Sequence, residues 1–149
     1  MKKHNNRILY VLGSGHYFLS HRLPTAEAAS NTGYAVHVLA IDNQAAQKIT
    51  DLGYVFHARR WQKDTTPLLS TIMAIIQLIF VVWKISPNIV HCIGLKTAPV
   101  GLFTTFLFWR TRFLFSINGL GYFFAKSGQS FVLAVMRSGV LFLFRWISR

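Results

Sequence analysis

The chain has 149 residues, 52% of them hydrophobic and 15% aromatic, enough for one domain with a real core and too few for two ordinary ones. Disorder is excluded on the same figures. Sixteen lysines and arginines against four acids give a formal charge of +12, which favours anionic partners such as phosphate groups or acidic lipid.

Arg7–Leu12 (RILYVL) is a short apolar run closed by glycine, the pattern of a strand buried on both faces. The run from Ile8 to Leu12 is too short for the core of a signal peptide. After the loop Gly13-Ser14-Gly15-His16, Pro24 is tolerated only in a first helical turn. A helix is therefore expected from near Ser20 to Ser30, ended by Gly33 in a left-handed cap. Ala35–Ala40 reads as a second strand. Asp42 is placed to cap a helix carrying Ala45, Ala46, Ile49 and Leu52 on one face, which Gly53 ends, and Tyr54–Ala58 is a third strand. The strings Gly33-Tyr34-Ala35-Val36-His37 and Gly53-Tyr54-Val55-Phe56-His57 are similar, as two successive helix-to-strand junctions of a parallel βαβαβ unit would be.

Beyond a basic linker (Arg59, Arg60, Lys63), Thr66 and Pro67 open an apolar helix stopped by Ser86-Pro87. Asn88–Ile93 is a fourth strand, Thr97–Phe108 a helix, Arg112–Ile117 a fifth strand, and Asn118-Gly119-Leu120-Gly121 a glycine-rich turn. From Ser130 the pattern is helical to the end. The whole reads as an α/β, Rossmann-like, doubly wound parallel sheet of about five strands that stops before its expected last strands.

Cys92 is the only cysteine, so no internal disulfide is possible and a reducing compartment fits. All four acids lie in the first 64 residues, and the remaining 85 carry eight basic residues and no acid. An apolar and purely cationic half points to an anionic membrane surface. Pro67–Trp83 has no charge over seventeen residues, and Ser70, Gln77 and Lys84 form one narrow polar stripe. Two readings stay open for it: a helix packed between the sheet and something else apolar, or one lying in or crossing a membrane. In the last helix Arg137 argues against spanning, and its aromatic bulk suits an interface.

The loop after the first strand invites a dinucleotide reading, but the third glycine of that fingerprint is replaced by Phe18, and the expected helix starts too late to meet a phosphate. A plain tight turn or contact with a phosphorylated sugar remains. Six histidines are scattered without a second ligand at usable spacing, so no metal is expected. His91 and Lys96 fall at a strand's C-terminal end, where open α/β sheets bind ligands. His91 is either a site residue or a buried histidine bonded to the neighbouring strand. Lys96 is either a solvated lysine at a helix start or, since a cation there opposes the helix dipole, one that asks for an anionic partner. The dispersed basic residues show no nucleic-acid motif, and no nucleic acid is expected.

Phe18-Leu19-Ser20-His21-Arg22-Leu23-Pro24 with Gly33-Tyr34-Ala35-Val36-His37-Val38, then Pro87-Asn88-Ile89-Val90-His91 with Lys96, then Ser116-Ile117-Asn118-Gly119-Leu120-Gly121-Tyr122-Phe123, in that order along nearly the whole chain, resemble the N-terminal domain of family-four glycosyltransferases. These enzymes pair two Rossmann-like domains across a cleft, the GT-B fold. The last string is similar to that of bacterial members acting on undecaprenyl-diphosphate-linked sugars. Two positions depart from the family: Ile93 stands where a second histidine is common, and Asn118 where threonine or glutamate is common.

The resemblance implies retaining transfer of a hexose or acetamido-hexose from a nucleotide diphosphate sugar to a polyprenyl-diphosphate acceptor, in polysaccharide or protein-glycan synthesis at the cytoplasmic face of a bacterial inner membrane. It places Gly13, Ser14, Gly15 and His16 towards the donor, and Arg22, His91, Lys96, Asn118, Gly119 and Gly121 towards the acceptor. It assigns no catalytic residue. The C-terminal donor-binding domain is absent from residues 1–149, so the chain alone is expected to be inactive. The rival expectation is a small integral membrane protein spanning at Pro67–Trp83, Ala98–Trp109 and Phe131–Ile147, with no enzymatic role.

Overall fold

Two glycines set the rhythm of the first half. Gly33 (φ +91°) and Gly53 (φ +81°) each end a helix in a conformation that side chains resist, and each leads straight into a strand. The computed structural model describes residues 6–42, 44–59, 67–94 and 97–117. In chain order these form β1 (Asn6–Val11), α1 (Gly15–His21), α2 (Leu23–Asn31), β2 (Tyr34–Ala40), α3 (Ala46–Asp51), β3 (Val55–Ala58), α4 (Pro67–Ile85), β4 (Ile89–Ile93), α5 (Thr97–Thr105) and β5 (Arg112–Ser116). All strands are parallel, in the order β3-β2-β1-β4-β5. The five expected strands are thus present, with ends shifted by a residue or so.

Alternation along the strands sorts side chains between two cores. Ile8, Tyr10, Leu12, Val36 and Val38 pack with Phe18, Ala26 and Ile49 beneath α1, α2 and α3. Leu9, Val11, Leu39, Val90 and Cys92 pack with Ala74, Leu78, Val82 and Val100 beneath α4 and α5. Asn88 closes the sheet's lower edge, its Oδ1 accepting the Arg7 N–H at 2.8 Å while its own N–H donates to the Arg7 carbonyl at 2.9 Å.

The helix expected from Ser20 differs. It begins at Gly15 and is broken at Arg22 (φ −121°, ψ −6°), which ends α1 and starts α2. Pro24 does occupy the first turn of α2, so its constraint holds for that helix, while α1 is a separate short helix ahead of it. Asp42 assists α3 from a distance, its Oδ1 accepting the Ala46 N–H at 3.3 Å. The basic linker from Arg60 to Thr66 and the helix expected from Ser130 lie outside the described residues.

Candidate functional site

The chain leaves β1 for α1 on one face of the sheet and leaves β4 for α5 on the other. Their loops diverge at the C-terminal ends of β1 and β4, the topological switch point where sheets of this kind take ligands in a crevice. Gly13-Ser14-Gly15-His16 forms one wall. Gly13 and His16 are exposed, Ser14 is half-buried, and Gly15 is buried. The Gly15 N–H donates to the Ile41 carbonyl at 3.1 Å, and a Cβ on Gly15 would lie 2.7 Å from the Ala45 Cβ. Gly15 therefore lets the loop pack against the start of α3, and Gly13 is the member with open space in front of it. The other wall turns at Gly94 (φ +103°), whose N–H donates to the Ser116 carbonyl at 2.9 Å and whose own carbonyl accepts the Thr97 hydroxyl at 2.9 Å.

Beneath the crevice, on the α1 side of the sheet, His91 stands beside Tyr10 in register, with ring centroids 5.5 Å apart. His91 Nε2 and the Ser116 hydroxyl on β5 are hydrogen-bonded at 2.7 Å. This is the bond to a neighbouring strand that one reading of His91 anticipated. Burial, helped by the cationic Arg22, pushes the His91 pKa down to about 4, so the ring is neutral at pH 7. Tyr10 is 2% exposed, and burial raises its phenol, opposed by a hydrogen bond from Thr25 and by the charge of Arg22. Arg22 is half-buried at the α1–α2 junction, and its Nε is buried with no hydrogen-bond partner. An unmet buried donor is uncommon and marks a place where a ligand acceptor is of use.

Two of the expected acceptor residues, Arg22 and His91, are thus brought together around Tyr10. Lys96, Asn118, Gly119 and Gly121 lie outside the described residues. Tyr10, Thr25 and Ser116 were not anticipated: Tyr10 and Ser116 meet His91 from the neighbouring strands and Thr25 meets Tyr10 from α2, which local spacing does not reveal. Among the described residues no group of three or more His, Cys, Asp or Glu side chains is placed to hold a metal. A groove of about 550 Å³ lies elsewhere, between β3 and α4, lined by Phe56, His57, Met73, Ile76, Gln77 and Lys84 among others.

A model of the family described as "Glycosyl transferase 4-like" matches residues 7–148. The chain belongs to that family. No curated protein matches it. Among solved structures, a glycosyltransferase from Rickettsia africae superposes with a TM-score of 0.59 at 15% identity, covering 74% of this chain and 29% of that one. MurG from Acinetobacter baumannii gives 0.56 at 13%, covering 89% and 39%. A UDP-GlcNAc 2-epimerase from Methanocaldococcus jannaschii gives 0.56 at 16%, covering 73% and 30%. These likenesses establish the fold, and the chain spans between 29% and 39% of the length of those three proteins.

As a glycosyl transferase 4-like domain, the chain folds two of its supposed spans into the sheet's outer layer. Pro67–Trp83 and Ala98–Trp109 supply α4, α5 and the turn after α5, and among the described residues no helix is long and apolar enough to cross a membrane. The membrane-protein expectation finds no support in these two segments: α4 and α5 lay Leu78, Val82 and Val100 onto a sheet that needs them. The third supposed span, Phe131–Ile147, lies outside the described residues.

Proposed function

We propose that the whole protein transfers a hexose or acetamido-hexose, with retention, from a nucleotide diphosphate sugar to a polyprenyl-diphosphate-linked acceptor. It does so at the cytoplasmic face of a bacterial inner membrane, in polysaccharide or protein-glycan synthesis. The present chain is its acceptor-side domain. The observation that carries this reading is the convergence of Arg22 and His91 at the switch point of a glycosyl transferase 4-like domain. A guanidinium with an unmet buried Nε suits an anionic phosphate oxygen, and a neutral imidazole beside it can exchange hydrogen bonds with a sugar hydroxyl.

Further support comes from the structural neighbours, which include MurG and a UDP-GlcNAc 2-epimerase, a protein named for a nucleotide sugar. Gly13 and His16 face the donor in this reading. Lys96, Asn118, Gly119 and Gly121 complete the acceptor side. No metal is needed in it, since the sequence offers no ligand spacing for one. The donor is held mainly by a second domain, and much of the rate of such a transfer comes from clamping both substrates between two walls.

The test is turnover of labelled nucleotide sugar into a polyprenyl-diphosphate glycan. The chain alone is expected to give no turnover and no heat on titration with nucleotide sugars. Activity is expected once a donor-binding domain is fused to it or added. Turnover by the chain alone would overturn the proposal.

A further inference from the structure

Helix α4 turns Ala74, Leu78, Val81, Val82 and Ile85 to the sheet, and the opposite face carries Leu69, Ile72, Met73, Ile76, Phe80 and Trp83. Helix α5 and the turn after it continue that apolar surface with Phe103, Phe106, Leu107 and Trp109. Trp83 is 71% exposed, Phe106 81% and Trp109 87%. At roughly 150–250 Å² per aromatic side chain, the five exposed rings alone present on the order of 700 Å², beyond the largest apolar patch of an ordinary monomer.

Both helices run antiparallel to the strands, so both end at the sheet's N-terminal edge, and the Thr111 hydroxyl donates to the Pro87 carbonyl at 3.1 Å to tie those two ends together. Each end carries an exposed tryptophan next to an exposed cation: Trp83-Lys84 and Trp109-Arg110. The described acids, Glu27, Asp42 and Asp51, lie on or beside α2 and α3, across the sheet. The face is therefore apolar along its length, cationic and indole-rich at one edge, and free of carboxylates among the described residues.

We propose that the outer face of α4 and α5 lies flat in the headgroup boundary of an anionic bilayer, with Trp83 and Trp109 as its edge anchors. Indole rings and cations paired in this way match an acidic lipid interface. A second copy packing by two-fold symmetry would instead offer Lys84 and Arg110 no carboxylate, because the face has none among the described residues. The inference deepens the membrane-associated reading of the function and rests on it, but it needs no transfer activity to be tested.

An Ile76→Cys chain places a reporter thiol in the middle of the face. The native Cys92 is 0% exposed with its thiol pushed up to about 12, so it contributes little background. A water-soluble maleimide is expected to modify residue 76 readily in buffer and at least roughly tenfold more slowly with phosphatidylglycerol vesicles, with no slowing by phosphatidylcholine vesicles at high salt. Phe80→Glu combined with Trp83→Glu is expected to lower co-sedimentation with the anionic vesicles by at least about tenfold, while Gln47→Glu on α3 leaves it unchanged. Poor modification in buffer alone would mean that the chain's own residues or a second copy cover the face, and would overturn the proposal. Vesicle binding without protection at residue 76 would overturn it too, and would leave membrane association standing through another surface.

Discussion

His37 on β2 and His57 on β3 share a hydrogen bond of 3.1 Å between Nδ1 and Nε2, with their rings stacked 5.4 Å apart. The register sets His37 opposite Val55 and His57 opposite Leu39, so the two lie diagonally on one face of the sheet, beneath α4. Burial pushes His37 down to about 4, helped by His57 and Arg7, and burial and Lys84 lower His57. The charged groups that these shifts record around the pair are all cations.

Stability should accordingly fall as pH drops. A histidine depressed in the folded state costs nothing above its unfolded value of about 6.5, and below it the unfolded chain takes up the proton first, so stability is lost from about pH 6.5 down to about pH 4. At about 1.4 kcal/mol per unit, and counting only half the shift for partial exposure, His37 and His91 together cost about 3 kcal/mol by pH 5. Urea midpoints measured at pH 7.5 and 5 check this. An unchanged midpoint would show that the pair stays accessible to protons.

Glycine substitutions should divide by what their Cβ meets. At Gly101 a Cβ runs into Cys92 Sγ and approaches a Phe115 ring atom at 2.8 Å, and at Gly15 it meets Ala45, whereas nothing lies within 4 Å at Gly13. Gly101→Ala and Gly15→Ala are expected to lose about 1–3 kcal/mol by overpacking, and Gly13→Ala to lose less than about 0.5 kcal/mol. Thermal denaturation of the three variants separates these outcomes.

On the proposed transfer, Arg22→Ala in the whole protein should lower kcat/KM for a lipid-linked acceptor by about ten- to a hundredfold, the worth of a charged hydrogen bond of about 1.5–3 kcal/mol. Ser116→Ala, which removes one partner of His91, should cost less, and its urea midpoint reads any structural loss separately. Equal loss with truncated, carrier-free acceptors would place Arg22 away from the diphosphate.

Replacing Gly119 or Gly121 by valine is expected to impair acceptor use more than folding, because both glycines follow β5 in the sequence and a glycine lets a ligand approach the backbone closely. Steady-state kinetics beside circular dichroism distinguishes the two. Unfolding with normal acceptor affinity in the folded fraction would mark the turn as structural.

The strands and their glycine stops were legible because burial on both faces leaves unbroken apolar runs and a left-handed cap all but demands glycine. The start of α1 was not: Pro24 signals a first turn strongly, and nothing as strong marks Gly15, whose N-cap Ser14 makes no side-chain bond to the helix. At the site, Arg22 and His91 could be named from the resemblance, but Ser116 lies 25 residues from His91, and only the β4–β5 register makes them neighbours. The paired histidines had a signal in plain view, since each closes one copy of the repeated Gly-Tyr junction. Two copies in adjacent parallel strands put those rings within reach of one another.

The bridge from Asn88 to Arg7 joins residues 81 apart, and it governs how the chain is made as well as how it holds. Of the five described strands, the first along the chain is the middle one of the sheet. Between Ala40, which completes its neighbour on one side, and Ile93, which completes its neighbour on the other, about 50 residues must be added, taking roughly 3–10 s at ordinary translation speeds. Through that interval the nascent chain carries an open edge on β1, and by its end α4 has been added before β4 has joined the sheet beneath it. Released chains truncated before Ile93 should therefore be digested readily by protease and need shelter, whereas released chains extending beyond Ser116 should resist.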